Sequence, residues 1–134
     1  MEHPRLFEPG DPLVDRVRAL CLRLPESVEA LSHGRPTFFA GKKVFAFVGS
    51  SMDRSNSLVF KPDPDESLAL RQDARIFIPP YWGPSGWLAI DLSLEPAGDA
   101  AAAATDWQEI AELIETSYRQ VALKRQLAVL DGIM

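Results

Sequence analysis

The sequence predicts an α+β domain with the element order helix, four strands, short helix, two strands, long helix. Two observations indicate this order. Apolar residues recur with helical spacing near both ends of the chain, whereas the middle contains short β-branched and aromatic runs separated by glycine and proline turns. The chain has 134 residues, the length of one domain, and no linker divides it. We therefore expect a single domain over residues 1–134, with residues 1–10 forming a loosely ordered arm.

The first helix and the short middle helix each begin at an Asp-Pro pair. Asp11 and Asp63 are good N-caps, and the prolines that follow them suit the first helical position, where the missing N–H would have no partner. The first helix then carries one apolar stripe and stops before Pro25. Cys21 lies in this stripe. Because no neighbouring charge is visible that would activate its thiol, we interpret Cys21 as a core residue.

Six short segments have strand character. Two of them flank the turn Gly41-Lys42-Lys43 and are predicted to form a hairpin, in which glycine supplies the unusual backbone angles. In the second of these strands, simple alternation places Phe45 and Phe47 on one face, and both faces are apolar, as in a central strand. The predicted strands are residues 27–31, 37–40, 44–48, 57–61, 75–79 and 87–92.

A long helix is predicted at the C-terminal end of the chain. Thr105 is the expected N-cap, with Gln108 completing a capping box. The apolar stripe reaches Val121, helix-forming residues continue to about Leu130, and Asp131-Gly132 then ends the helix. Residues 95–104, which include five consecutive alanines, are predicted to be a loop.

Three separated segments of the chain resemble the MmcQ/YjbR-like family. Residues 80–87 resemble the family's P-Y-x-G-x-x-G-W pattern, residues 117–125 resemble its Y-R-x-V-A-x-K-R helix end, and residues 33–45 are similar to its first hairpin. The resemblance covers roughly residues 12–130. It implies a two-layer α+β fold, in which N- and C-terminal helices cover one face of an antiparallel sheet of about six strands. Some members have been proposed to bind DNA through a double-wing arrangement of hairpins, and the family brings no catalytic residue set.

Composition and motif spacing argue against several classes of function. No apolar run approaches the ~20 residues of a membrane helix, and no apolar stretch follows Met1, so we expect a cytoplasmic protein that does not bind membranes. The histidines and the single cysteine lack the short spacings of zinc motifs. No catalytic constellation is present either. The sequence therefore predicts a binding protein rather than an enzyme, with no metal and no cofactor.

Positive charge is concentrated in the middle of the chain. The net charge is −5, yet residues 33–61 carry five basic residues against one acid. Such a cluster could meet phosphates along a groove, so nucleic-acid binding is the first functional hypothesis. The alternative is a solvated, lysine-protected turn that discourages edge pairing. The five candidate residues are Arg35, Lys42, Lys43, Arg54 and Lys61.

An aromatic loop over residues 79–87 gives a rival hypothesis, in which the loop walls a pocket for a small anionic metabolite. The alternative is that Tyr81 and Trp87 pack beneath the C-terminal helix near Tyr118, whereas Trp82 is harder to bury and is the better contact residue. The candidate pocket residues are His33, Tyr81, Trp82 and Trp87, with Arg35, Lys61 or Arg75 binding the anionic group.

A third hypothesis is a protein-interaction module. The final helix carries a row of acidic side chains that could face a basic partner, although a solvated face is the commoner explanation of such a row. The residues of this row are Asp106, Glu109, Glu112 and Glu115. A monomer or a weak homodimer is expected.

Overall fold

The computed structural model of the chain describes residues 10–49, 56–92 and 105–132. Its elements follow the predicted order, except that the final helix is divided in two. Residues 1–9 of the predicted arm, the predicted loop at 95–104 and Arg54 lie outside the described residues. The helices are α1 (Pro12–Leu22), α2 (Pro64–Leu70), α3 (Trp107–Val121) and α4 (Lys124–Leu130), and the strands are β1 (Ser27–Ser32), β2 (Arg35–Ala40), β3 (Lys43–Val48), β4 (Ser57–Phe60), β5 (Ile76–Phe77) and β6 (Leu88–Asp91).

The six strands form one antiparallel sheet in the order β1-β2-β3-β4-β6-β5, so β1 and β5 are its edges. Helix α1 packs on β1 and β2, and α3 packs on β3 and β4. Both helices contribute to the same large apolar core as the sheet residues beneath them. This arrangement confirms the two-layer α+β fold that the family resemblance implies.

The Asp-Pro helix starts are confirmed. The Asp11 carboxylate accepts a hydrogen bond from the N–H of Leu13 at 2.8 Å, and the Asp63 carboxylate accepts one from the N–H of Asp65 at 2.9 Å. Both bonds satisfy backbone donors that have no partner within the helix. Cys21 is fully buried in the core, as predicted, and burial raises the pKa of its thiol.

The prediction for the final helix was wrong at its start and in its middle. Asp106, rather than Thr105, is the N-cap of α3, and its carboxylate accepts hydrogen bonds from the N–H groups of Gln108 and Glu109. The chain is extended at residues 122–123, which separates α3 from α4. The Gln126 side chain is fully buried and accepts a hydrogen bond from the N–H of Leu123 at 2.8 Å, so it caps the new helix.

A β-bulge in β3 sorts its side chains between the two faces of the sheet. Phe38 pairs with Ala46 and Phe39 pairs with Val44, so Phe45 is an extra residue without an opposite partner on β2. Phe45 and Ala46 consequently both join the helix-side core, whereas Phe47 joins a separate cluster. The predicted sharing of one face by Phe45 and Phe47 was therefore wrong, because a bulge breaks the two-residue alternation.

Ser117 on α3 links the helix layer to the bulged residue, Phe45, by a hydrogen bond. Its hydroxyl donates a hydrogen bond to the backbone carbonyl of Phe45 and accepts one from the N–H of Lys61 at 2.7 Å. Ser117 is fully buried, so both bonds replace contacts with water. The next residue of the helix, Tyr118, packs edge-on against the Phe45 ring, with 5.4 Å between the ring centroids.

Replacing Ser117 by alanine removes one partner from each of two backbone groups. We expect Ser117→Ala to lower the free energy of unfolding by about 1–3 kcal/mol, because the Phe45 carbonyl and the Lys61 N–H lose their bonds in a buried environment. Urea unfolding measures this as a lower midpoint with an unchanged slope. Ser85→Ala, at an exposed serine, is the matched control and should change stability by less than about 0.5 kcal/mol. Equal effects of the two substitutions would contradict this role for Ser117.

Candidate functional site

The sheet is apolar on both faces, but α1 and α3 cover only one of them. The opposite face, here called the open face, carries a second cluster that includes Phe47, Val59 and Ala89 on β3, β4 and β6. Two tryptophans of the aromatic loop, Trp82 and Trp87, cover this cluster. Towards β1 and β2 the open face has no such cover among the described residues. A half-open depression lies there.

The aromatic loop holds a strained conformation. The N–H of Trp82 bonds to the carbonyl of Pro80 at 2.7 Å, which closes a γ-turn around Tyr81, and the φ of Tyr81 is +67°. A γ-turn with positive φ is rare, and positive φ in a bulky residue is unusual. The turn directs Trp82 onto the sheet, where its ring centroid lies 5.1 Å from that of Phe47 and 5.0 Å from that of Trp87.

The packing predicted for the aromatic residues was wrong in two respects. Trp87 is buried, but it lies on the open face, on the opposite side of the sheet from Tyr118. Tyr81 is 96% exposed instead of packed, whereas Trp82 is half-buried. Tyr81 was expected to pack and Trp82 to be exposed, and the γ-turn reverses this because it directs the Trp82 ring towards the sheet and the Tyr81 ring towards solvent.

The depression on the open face has a volume of about 140 Å³. Its walls are apolar and aromatic, formed by Phe39, Val44, Phe47 and Trp82, and its other end is polar. Thr37 and Phe47 are directly paired across β2 and β3, as are Phe39 and Val44, so the sheet itself is the floor. The lining residues are Ser32, His33, Arg35, Thr37, Phe39, Val44, Phe47 and Trp82.

Arg35 is the charged residue at the polar end. It is half-buried, and its Nε atom is buried without a hydrogen-bond partner among the described residues. Burial lowers the pKa of the Arg35 guanidinium, with no acid opposing the effect.

Arg75 was also predicted to bind the anionic group of a ligand, but its guanidinium already has acidic partners. It lies 2.7 Å from Asp73 and 2.8 Å from Glu109. These acids raise the pKa of Arg75, and Arg75 lowers that of Asp73.

The β1–β2 turn holds the remaining polar groups in place. His33 and Gly34 have φ values of +54° and +78°, the two positive values that a type I′ hairpin turn requires. The His33 ring nitrogen Nδ1 lies 3.2 Å from the Ser32 hydroxyl oxygen. The Thr37 hydroxyl donates to the Arg35 carbonyl at 3.1 Å. These groups present nitrogen and oxygen atoms beside the Arg35 guanidinium.

The predicted basic residues do not form a single cluster. Arg35 begins β2, whereas Lys42 and Lys43 are exposed at the β2–β3 turn, roughly 20 Å away along an extended strand. The turn itself is a confirmed hairpin turn, with Gly41 at φ +64°. Lys61 follows β4 by one residue and is partly exposed. The position of Arg54 lies outside the described residues.

The acidic row of α3 is largely engaged within the chain. Asp106 is the N-cap, and Glu109 pairs with Arg75. Glu115 lies 3.4 Å from the Arg119 guanidinium, and Glu112 accepts a hydrogen bond from Gln108 at 3.3 Å. Each of the four residues therefore has a partner within the chain.

Alternation along β2 could have revealed pocket residues that the sequence interpretation missed. In β2, every second residue lies on the open face, which groups Arg35, Thr37 and Phe39. Val44 and Phe47 are three positions apart, so simple alternation would place them on opposite faces, and the bulge between them brings both to the open face. Only the structure resolves that shift.

Within the described residues, no group of three or more histidine, cysteine, aspartate or glutamate side chains could hold a metal ion. No helix in that part of the chain is long and apolar enough to cross a membrane.

Comparison with known proteins identifies a family. The YjbR family model matches residues 22–120, well over half of the chain, and the chain belongs to the YjbR family. The matched range includes the hairpin, the aromatic loop and most of α3. It confirms the family that the sequence motifs resemble. No curated protein matches the chain.

A substitution at Gly83 tests whether its close packing against Ile78 holds the aromatic loop in position. A Cβ atom at this position would lie 2.2 Å from Cγ2 of Ile78, which is too close for two carbon atoms. We expect Gly83→Ala to cost about 1–3 kcal/mol of stability and to weaken the near-ultraviolet circular dichroism of the Trp82–Trp87 pair. Ile78 is 57% exposed, so Ile78→Ala alone should cost little.

The double variant Ile78→Ala/Gly83→Ala supplies the decisive comparison. Because it removes the Cγ2 atom that the new Cβ would meet, it should recover most of the stability and of the tryptophan signal. If the two single effects simply add in the double variant, the contact between residues 78 and 83 does not hold the loop.

Proposed function

We propose that this chain is a binding protein whose open face holds a small ligand with an anionic group at Arg35 and a planar apolar part against the aromatic side chains. The observation that carries the proposal is the half-buried Arg35 side chain, whose Nε atom is buried without a hydrogen-bond partner among the described residues and which lies at one end of an apolar depression.

The charge of Arg35 supports an anionic ligand. A guanidinium stays charged in proteins, and burying a charge costs free energy unless another charge or several hydrogen bonds compensate. The chain supplies such compensation elsewhere. Arg18 has Glu29 at 2.7 Å, and Arg75 has two acids. At Arg35 a carboxylate or phosphate from a ligand would complete the pairing, and the planar guanidinium suits two parallel hydrogen bonds to either group.

The size and walls of the depression support a single planar ring. A volume of about 140 Å³ is close to that of an engineered apolar cavity, about 150 Å³, that binds benzene. Phe39, Phe47 and Trp82 present ring surfaces, which favour offset or edge-to-face contacts with another ring. A monocyclic aromatic carboxylate or phosphate combines both features.

Thermal unfolding with four small probes tests this pairing of ring and charge. Benzoate and phenyl phosphate should raise the unfolding temperature, because a ligand that binds only the folded state stabilises it, by about 2.7 kcal/mol at one hundred times its dissociation constant. Benzamide keeps the ring without the charge, and acetate keeps the charge without the ring. At equal concentration, each should stabilise the protein less than benzoate does.

Arg35→Gln should abolish the difference between benzoate and benzamide, because it removes the charge that distinguishes them. Arg71→Gln, at an exposed arginine on the C-cap of α2, is the matched control and should leave the difference intact. The proposal fails if neither benzoate nor phenyl phosphate stabilises the protein at millimolar concentration. It fails equally if Arg35→Gln and Arg71→Gln behave alike.

Nucleic-acid binding through the β2–β3 turn is the second candidate function. It is supported by Lys42 and Lys43, which are both exposed at the tip of this turn. Two considerations weaken it. The chain has a net charge of −5, and Arg35 lies at the other end of β2.

Fluorescence anisotropy with duplex DNA over a range of salt concentrations tests the second candidate. If both lysines contact phosphates, Lys42→Ala/Lys43→Ala should weaken binding to all sequences alike and reduce the slope of log affinity against log salt by about 2, roughly one per contact. Lys124→Ala, at an exposed lysine on α4, is the control. A slope that is the same in the double variant and the wild type would contradict binding through this turn.

A further inference from the structure

The two edges of the sheet differ in how they are protected. An edge strand exposes unpaired backbone N–H and C=O groups, and proteins commonly shorten such strands or guard them with proline and charge. The edge strand β5 has only two residues and is soon followed by Pro79 and Pro80. The other edge, β1, has six residues, Ser27–Ser32, and pairs with β2 in regular register without a bulge.

Strand β1 carries little of the usual protection. It contains neither proline nor lysine, and its one charged residue, Glu29, is engaged by Arg18 at 2.7 Å and 3.0 Å through Nε and Nη2. Two of its apolar side chains are exposed, Val28 at 51% and Leu31 at 55%. The strand therefore offers an electrically neutral and partly apolar edge.

The hydrogen-bond pattern shows which backbone groups face away from the sheet. The N–H of Gly41 donates to the carbonyl of Glu26 at 3.0 Å, so these two residues form a hydrogen-bonded pair just beyond β1. Because paired residues alternate along an antiparallel ladder, Val28, Ala30 and Ser32 turn their backbone groups towards β2. The backbone groups of Glu29 and Leu31 then face outward and can accept another strand, whereas the N–H of Ser27 already bonds to the carbonyl of Leu24 at 3.2 Å.

We propose that β1 of a second copy of this chain pairs antiparallel with β1, about a two-fold axis at Ala30, so that the sheet continues from one copy into the other. A two-fold interface needs one patch that is complementary to itself. Centring the pair on Ala30 sets each Glu29 opposite the other copy's Leu31 and each Val28 opposite Ser32. Centring it on Glu29 would instead oppose two carboxylates, which destabilises a strand pair.

The charge of the whole chain predicts how the dimer responds to salt. Each copy carries a net charge of −5, so the two copies repel each other at long range, while the paired edge itself is close to neutral. Added salt screens the repulsion without weakening the backbone hydrogen bonds. Dimerisation should therefore strengthen as the salt concentration rises, which is the opposite of an interface held by opposite surface charges.

Sedimentation equilibrium over protein concentrations into the millimolar range tests the proposal. The average mass of the wild type should rise from that of one chain, 14.8 kDa, towards twice that value. Leu31→Glu sets a second carboxylate opposite Glu29 at two symmetric positions and should weaken dimerisation at least about tenfold. Leu31→Lys sets opposite charges there and should weaken it less. The matched control is Leu68→Glu, at a leucine on α2 that is 72% exposed.

Amide hydrogen exchange locates the contact. On dimerisation, the N–H groups of Glu29 and Leu31 should become protected, whereas that of Ala30 is already bonded to β2 and should change little. A wild type that keeps the mass of one chain at every concentration overturns the proposal. A dimer that responds equally to Leu31→Glu and Leu68→Glu also overturns it, since the interface then lies elsewhere. Neither result bears on ligand binding at Arg35, which is tested separately.

Discussion

The interior strands carry apolar side chains on both faces of the sheet, yet the helices cover only one face. On the helix side, Phe38, Phe60 and Ile90 pack with residues of α1 and α3 in one large core. On the open side, Phe47, Val59 and Ala89 also need to be removed from water, and the aromatic loop provides their cover. That loop lies above β3, and among the residues that the structure describes nothing comparable covers the open face at β2. The candidate site is a direct consequence of this incomplete second layer.

The bulge at Phe45 determines how the two layers divide. It turns Phe45 and Ala46 towards the helices together and leaves Phe47 on the open face. The bulge disturbs the β2–β3 ladder. The buried Ser117 hydroxyl bonds to the carbonyl of the same residue, Phe45, and to the N–H of Lys61. One residue of α3 thereby fixes the position of the helix layer against the strand that forms the floor of the depression. The site and the core depend on the same irregularity.

Local sequence signals were sufficient for much of the fold. The Asp-Pro pairs predicted both helix starts, and Gly41 predicted the β2–β3 hairpin, because caps and turns depend on neighbouring residues alone. The break between α3 and α4 could not be predicted in this way. Ala122 and Leu123 are good helix formers, and the capping side chain of Gln126 becomes effective only when it is buried.

The site was predicted less completely than the fold, for a similar reason. Arg35, His33 and Trp82 were identified as candidates and do meet in one depression. Tyr81 and Trp82 exchanged roles because a positive φ at Tyr81, which its residue type disfavours, is imposed by the surrounding loop. Arg35, Lys42 and Lys43 were grouped by sequence position, but the extended strand β2 separates Arg35 from the two lysines. Distances across a sheet depend on register and strand length, which charge counting does not include.

The most direct test of the open face as a binding surface is an NMR titration with phenyl phosphate that observes arginine Nε–Hε and tryptophan indole N–H signals. Trp82 lines the depression, whereas Trp107 packs on the helix side of the sheet and serves as an internal control. The signals of Arg35 and Trp82 should shift together and saturate at one ligand per chain, while that of Trp107 stays in place. A titration that shifts Trp107 as much as Trp82, or that leaves Arg35 unchanged, would contradict the account.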